Sequence, residues 1–229
     1  LIGVVTEIYK RVPIADIKEG DVFMGNDAYT GGGTHLPDIV LAEPIFYQGK
    51  LVAWATNTAH HADFVDRSHA HIFQEGIRIP PVRLYRQGVL VQDILDMLLL
   101  NLQVPRERLN DLRAQMASNR QGIQRFQRLC ERYGADYLIE ACGALLDYAE
   151  RLTRAGIRTI PSGVYTFEDE YECQELEGIM TFKTRIEVKG DEIFLEFDTP
   201  PQVRSGVNLV ETGLLATVYY AVKALIGPE

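Results

Sequence analysis

The sequence predicts an α+β protein: a mixed sheet with an N-terminal β-hairpin, a central helical segment, C-terminal antiparallel strands and a final helix. Three observations lead to that expectation. Residues 39–58 hold two strand-like runs around Gln48-Gly49, a two-residue turn signal. Residues 93–154 repeat apolar side chains at helical spacing. Residues 164–198 return to strand alternation, with "KGD" joining "IMTFKTRIEV" to "EIFLEFD" as a hairpin.

The elements follow in order. "LIGVVTEIY" suits either the end of a helix or a strand. "KEGDVFMGN" gives a turn and a short strand, Val22 to Met24, before a loop of small residues from Asn26 to Thr34. Ile39 to Phe46 reads as a strand, and Pro44, which has no N–H to donate, implies an edge position or a bulge. Leu51 to Thr58 is its partner strand. Residues 62–76 are polar and irregular. "RIPPVRLYRQG" is extended, because a residue before proline avoids the α region.

Asp93 to Gln103 reads as a helix with Ile94, Leu95, Leu98, Leu99 and Leu102 on one stripe. Pro105 suits the first turn of a long amphipathic helix that Gly134 stops. A further helix runs from Asp136, a candidate N-cap, to Arg154, with Leu138, Cys142, Leu145, Leu146, Ala149 and Leu152 on one face. Pro161-Ser162-Gly163 breaks the pattern. After the strands, residues 200–208 form a loop, and Gly213 to Ile226 reads as a final buried helix. The best boundary lies near Gly156 to Gly163. It gives 1–160, the hairpin plus the helical segment, and 161–229, a β-rich segment with the terminal helix, unless the two form one continuous domain.

Composition narrows the partners. A chain of 229 residues with 46% apolar content is long enough to bury a core. A net charge of −9 disfavours nucleic acid, which selects basic surface. It does not exclude an anionic substrate, since a metal reverses the local sign. No run approaches the ~18 apolar residues of a membrane span. "LIGVVTEIYKR" has neither the basic start nor the cleavage site of a signal peptide. Cys130, Cys142 and Cys173 are odd in number and form no CxxC, so free thiols in a reducing cytoplasm are expected. Cys130 and Cys142, both in helical patterns, read as packing residues.

All five histidines lie between His35 and His71. A two- or three-residue loop at Gln48-Gly49 sets Asp38 across from Ala59 or His60, and directly opposed residues have Cβ atoms roughly 4.5–5.5 Å apart. His35 precedes Asp38 by three residues at the same open end. Pro37 keeps Leu36 out of the α region, so His35 and Asp38 are not a helical pair. Two imidazoles and a carboxylate suit Zn²⁺, Mn²⁺ or Fe²⁺ with positions left for water or substrate. Gly31 to Gly33 permit a close backbone approach.

His61 points to the opposite face from His60 and reads as a group that orients a ligand or moves a proton. His69 and His71 read as parts of a solvated loop. Asp27 and Asp63 are extra carboxylates or turn and capping residues. Glu75 and Arg78 are either a salt bridge or active-site groups. Arg106, Glu107, Arg108, Asp111 and Arg113 read as an exposed helix face.

Seven stretches in order resemble the hydantoinase B/oxoprolinase family: "GDVFMGNDAYTGGGTHLPDI", "AHHAD", "FQEGIRIPPVRL", "DLRAQMASNRQG", "GADYLIEACGALLDYAERL", "PSGVYTFED" and "PQVRSGVNL". The similarity runs along nearly the whole chain. It departs at Ala28, where the family has Pro, at the extra glycine of Gly31 to Gly33, and in a short loop after Asp63. Family members are longer chains, so the resemblance implies that the sequence is an internal portion or a truncated member.

The resemblance implies metal ligands at His35, Asp38 and His60, with Zn²⁺ or Mn²⁺ as the ion. It implies catalytic roles for His61, Asp63 and Glu75, which fall in matching motifs. It also implies a hetero-oligomer with a hydantoinase A-type subunit that binds ATP and phosphorylates the carbonyl or enol oxygen of the substrate. ATP then sits on that partner. The B-type subunit opens a cyclic amide (hydantoin, 5-oxoproline or a lactam). In the acetone and acetophenone carboxylases the activated enol instead attacks CO₂. A chain that has lost the chemistry would be an assembly subunit.

Overall fold

The computed structural model describes residues 2–64, 72–172, 178–203 and 206–227. His69, His71 and Cys173 lie outside them. The protein forms two compact units, residues 1–139 and residues 140–229.

The first unit is built on an antiparallel sheet. Its strands are β1 (Val22–Gly25), β2 (Asp38–Tyr47), β3 (Lys50–His60), β4 (Val82–Arg86) and β5 (Val89–Leu90), in spatial order β3-β2-β1-β4-β5. Every pairing among the described strands is antiparallel, where the sequence suggested a mixed sheet. β2 is internal, and its residues from Ile39 to Ile45 are buried. That accounts for the weak alternation of "IVLAEPIF": both of its faces are covered.

The opening residues form a helix, α1 (Ile2–Arg11). Val4 and Ile8 pack with Phe23, Val40 and Ala42 on one face of the sheet. Trp54 of β3 donates its indole N–H to Tyr9 Oη at 2.7 Å. On the other face α2 (Gln92–Leu100) and the long α3 (Pro105–Tyr133) bring Leu95, Leu98, Leu112 and Met116 against Met24, Leu36, Ile39 and Leu41. Each such fully buried aliphatic side chain is worth roughly 1.5–3 kcal/mol. Pro105 opens α3, and Gly134 ends it at φ 86°.

The β2–β3 turn is the two-residue type expected, with Gln48 and Gly49 at φ 50° and 77°. Pro44 lies beyond Ala42, the last β2 residue paired with β1, and one residue from a bulge between Ile45 and Phe46. A second hairpin turn of the same kind, Gln87-Gly88 with φ 48° and 81°, joins β4 to β5.

The second unit contains most of α4 (Ala135–Ile157), the antiparallel sheet β6-β7-β8 (Gly163–Tyr171, Met180–Lys189, Glu192–Asp198) and α5 (Glu211–Ile226). A Cβ at Gly156 would lie 2.7 Å from Ile226 Cβ, so glycine is what lets α5 approach α4. Three expectations fail here. Asp136 is inside the first turn of α4 rather than capping it. No described residue of α5 is buried, and Tyr219 and Tyr220 are 68% and 77% exposed. The apolar residues of α5 are spread round the helix rather than gathered on one stripe, and within the described second unit they stay uncovered. Cys142 is exposed, as are Leu145, Leu146 and Leu152, whereas Cys130 in α3 is buried as expected.

Candidate metal centre

The open end of the β2–β3 hairpin brings three side chains together. Asp38 pairs with His60 across the two strands. The bulge decides this. Tyr47 pairs with Lys50 and Phe46 with Leu51, but Ile45 pairs with Ala53, leaving Val52 as the extra residue. A hairpin without it would oppose Asp38 to Ala59. A shift of one residue sends a side chain to the other face of a strand.

His35 reaches the same point from the preceding turn, which the Asp38 N–H closes onto the His35 carbonyl at 3.1 Å. The three glycines before it are each required by a neighbour. Gly31 has φ 86°, and a Cβ there would sit 2.2 Å from the backbone of Gly3. A Cβ at Gly32 would meet the Asn26 carbonyl carbon at 2.3 Å, and one at Gly33 would meet Asp38 Cβ at 2.2 Å.

The donor atoms form a near-equilateral triangle. His35 Nε2 and His60 Nδ1 are each 3.2 Å from Asp38 Oδ1 and 3.3 Å from each other, and the rings stack with centroids 4.9 Å apart. An ion with bonds of about 2.0–2.2 Å has ligand–ligand edges of about 3.4 Å in a tetrahedron and about 3.0 Å in an octahedron. The observed edges fall between these. The atoms either direct two ring N–H groups at one carboxylate oxygen or turn three lone pairs toward one cation. Asp38 is mostly covered, with a side chain 21% exposed, while those of His35 and His60 are 38% and 57% exposed, so solvent reaches the triangle.

The other expected residues have different surroundings. His61 is 1% exposed and faces the core beneath the sheet. Its Nε2 is 2.9 Å from Gln115 Oε1, and among the described residues its Nδ1 has no hydrogen-bond partner. Burial lowers the pKa of this imidazole, outweighing the Gln115 hydrogen bond, so it is held neutral. Glu75 does not pair with Arg78. Its Oε2 accepts the Leu36 N–H at 2.9 Å, next to His35. Arg78 instead binds Asp27 Oδ1 at 2.6 Å, which gives Asp27 a structural role. Asp63 is exposed.

Four polar residues that matter here were not singled out from the sequence. Asn26, fully buried, donates to the carbonyls of Leu36 (2.8 Å) and Ile77 (3.0 Å) and accepts the Ile79 N–H (2.7 Å). Gln115 and Asn119 of α3 meet Asn57 of β3 beneath the hairpin. A signal for them exists: Leu112, Gln115, Met116 and Asn119 share one helical stripe, and two amides on an otherwise apolar stripe must find partners inside.

The hydantoinase B/oxoprolinase family model matches residues 2–229. The chain belongs to that family. It is 32% identical to the caprolactamase subunit beta of Pseudomonas jessenii, over 89% of this chain and 36% of that one. It is 31% identical to the acetophenone carboxylase delta subunit of Aromatoleum aromaticum, over 84% of this chain and 30% of that one. The crystal structure of the ATP-dependent caprolactamase from Pseudomonas jessenii superposes with a TM-score of 0.83 at 30% identity, covering 96% of this chain and 40% of that chain. This family member thus spans about a third of the length of these curated relatives, which belong to amide-hydrolysing and ketone-carboxylating systems. No described helix is long and apolar enough to cross a membrane.

Proposed function

We propose that this chain carries the metal centre of a B-type subunit in an ATP-dependent cyclic-amide hydrolase. His35, Asp38 and His60 hold one divalent ion, Zn²⁺ or Mn²⁺. The observation that supports this most is the triangle of donor atoms with edges of 3.2–3.3 Å, open to solvent on one side. When bound, the ion supplies Lewis-acid polarisation of a substrate oxygen or acidification of a water.

The chain's own residues divide the remaining work. Asp63, exposed three residues beyond His60, takes up or delivers the proton during ring opening. His61 and Glu75 bind chain atoms rather than facing solvent at the triangle, and they serve the reaction by holding His60 and His35 in place. ATP is used on an A-type partner, which phosphorylates the substrate, and the working unit is a cytoplasmic hetero-oligomer. Relatives named as caprolactamase support the hydrolytic reading.

The likeness to an acetophenone carboxylase subunit favours one second reading, carboxylation of a phosphorylated enol at the same centre. The test is the complex reconstituted with its ATP-binding subunit. It is assayed for opening of hydantoin, 5-oxoproline and lactam rings, and in parallel for labelled bicarbonate fixation into ketones. The proposal expects ATP-dependent ring opening that His60→Ala abolishes. Bicarbonate fixation without ring opening selects the carboxylase, and turnover unchanged in His60→Ala removes the metal centre from the reaction.

A further inference from the structure

Each of the three ligands is followed in the chain by a residue gripped from elsewhere in the first unit. After His35, the Leu36 peptide is held at both ends, its N–H by Glu75 and its carbonyl by Asn26. After Asp38 comes Ile39, whose carbonyl accepts from Gln115 Nε2 at 3.0 Å. After His60 comes His61, whose ring meets Gln115 Oε1 at 2.9 Å. One amide side chain therefore spans the two strand ends that present Asp38 and His60.

The hydrogen-bond pattern fixes that amide. Gln115 Nε2 donates to both Ile39 O and Asn57 Oδ1 (3.1 Å), so the nitrogen end faces the strands. Its oxygen end then faces His61, and His61 Nε2 carries the proton. The Gln115 main chain joins in, since its carbonyl accepts from Asn57 Nδ2 at 2.8 Å. Gln115 is only 7% exposed, and a buried amide with every hydrogen bond satisfied has one geometry. The adjacent residues must alternate across the sheet, so fixing Ile39 and His61 on the buried face fixes Asp38 and His60 on the open one.

We propose that Gln115 is a positioning residue for the metal centre, setting the separation of Asp38 and His60 from the opposite face of the hairpin. This rests on the metal reading above. Helix α3 thereby belongs to the site although it has no atom in the triangle.

The experiment measures Mn²⁺ dissociation constants of the 229-residue chain by calorimetry, together with the melting temperature of the metal-free protein. Three forms are compared: wild type, Gln115→Met and Met116→Ala. Met keeps the volume of Gln115 and removes its hydrogen bonds. Met116 is 6% exposed and packs on the same helix against the core, so its truncation destabilises without removing any hydrogen bond of Gln115. The expected result is affinity weakened roughly ten- to a hundredfold in Gln115→Met, the usual cost of removing a ligand's outer partner. Met116→Ala is expected to melt lower and bind Mn²⁺ as wild type does.

Equal affinity in wild type and Gln115→Met overturns the positioning role and leaves the metal reading standing. Equal weakening in both variants also overturns it, because general loosening then suffices. A wild type that binds no Mn²⁺ fails the metal reading instead. If Gln115→Met does not fold, His61→Leu removes one of the three side-chain hydrogen bonds of Gln115 from the other side and is held to the same outcomes.

Discussion

His60 and His61 are neighbours in sequence and opposites in environment. The His60 side chain is 57% exposed, at the rim of a triangle of nitrogen and oxygen atoms. His61 is 1% exposed, beneath the sheet, and is matched to an amide oxygen. The same contrast divides the two faces of the hairpin end. The open face gathers the ring nitrogens of His35 and His60 and the Asp38 carboxylate, which among the described residues contact one another. The buried face holds Asn26, Asn57 and Gln115, whose polar atoms find backbone or side-chain partners. Buried polar groups must be satisfied or they destabilise, so the hidden face secures the geometry. Exposed polar atoms are free of that demand and are available to an ion.

If this division is right, substitutions on the two faces should separate stability from metal binding. The largest effect is expected on the buried face. Asn26→Ala strands the Leu36 and Ile77 carbonyls and the Ile79 N–H. At ~1–3 kcal/mol for each orphaned group, the loss should reach roughly 3 kcal/mol or more in urea unfolding. On the open face Asp38→Ala should leave metal-free stability within about 1 kcal/mol, since the groups involved are partly solvated. Its Mn²⁺ affinity, read by calorimetry, should fall beyond the roughly 10–100-fold that losing an outer partner costs. Reversed results would erase the contrast.

A smaller effect sharpens the account of the buried face at its far end. Glu43 is 5% exposed, and its Oε1 has no partner among the described residues. Burial raises its pKa, by more than Asn119 and Arg120 lower it. A carboxyl whose folded pKa is raised binds its proton more tightly in the native state. Its favourable contribution is complete below the unfolded value near 4.5 and is lost as pH rises through the folded one. Glu43→Gln, which cannot ionise, should therefore unfold at higher urea than wild type at neutral pH, with the gain vanishing below about pH 4. A gain independent of pH would point to another cause. The smallest effect is expected at Cys142, whose thiol is exposed: Cys142→Ser should change stability by less than about 0.5 kcal/mol.

Much of this was legible in the sequence because local chemistry dictates it. Gln48-Gly49 names its own turn, Pro105 and Gly134 punctuate a helix, and a hairpin register confines Asp38 to two opposite numbers. The bulge at Val52 chose between those two, and nothing in "GKLVAWATN" marks it, because a bulge is settled by how the whole strand packs. The helical stripe marks Gln115 as an inward-facing amide, but what it binds was hidden for a related reason. Its partners Ile39, Asn57 and His61 are far away in sequence, and only the tertiary fold brings them to one amide. α5 and the apolar face of α4 misled in the other direction. Their composition matched buried helices, yet within the second unit those side chains remain exposed. Periodicity reports that an apolar face exists; it does not say what covers it.

The claim that everything else leans on is that two imidazole nitrogens and one carboxylate oxygen share a cation. Pulsed electron paramagnetic resonance of the Mn²⁺-loaded protein reads this directly. The account predicts couplings from two histidine nitrogens, one of them lost in His35→Ala and one in His60→Ala. Mn²⁺ that binds with no nitrogen coupling, or with couplings untouched by both substitutions, would contradict it.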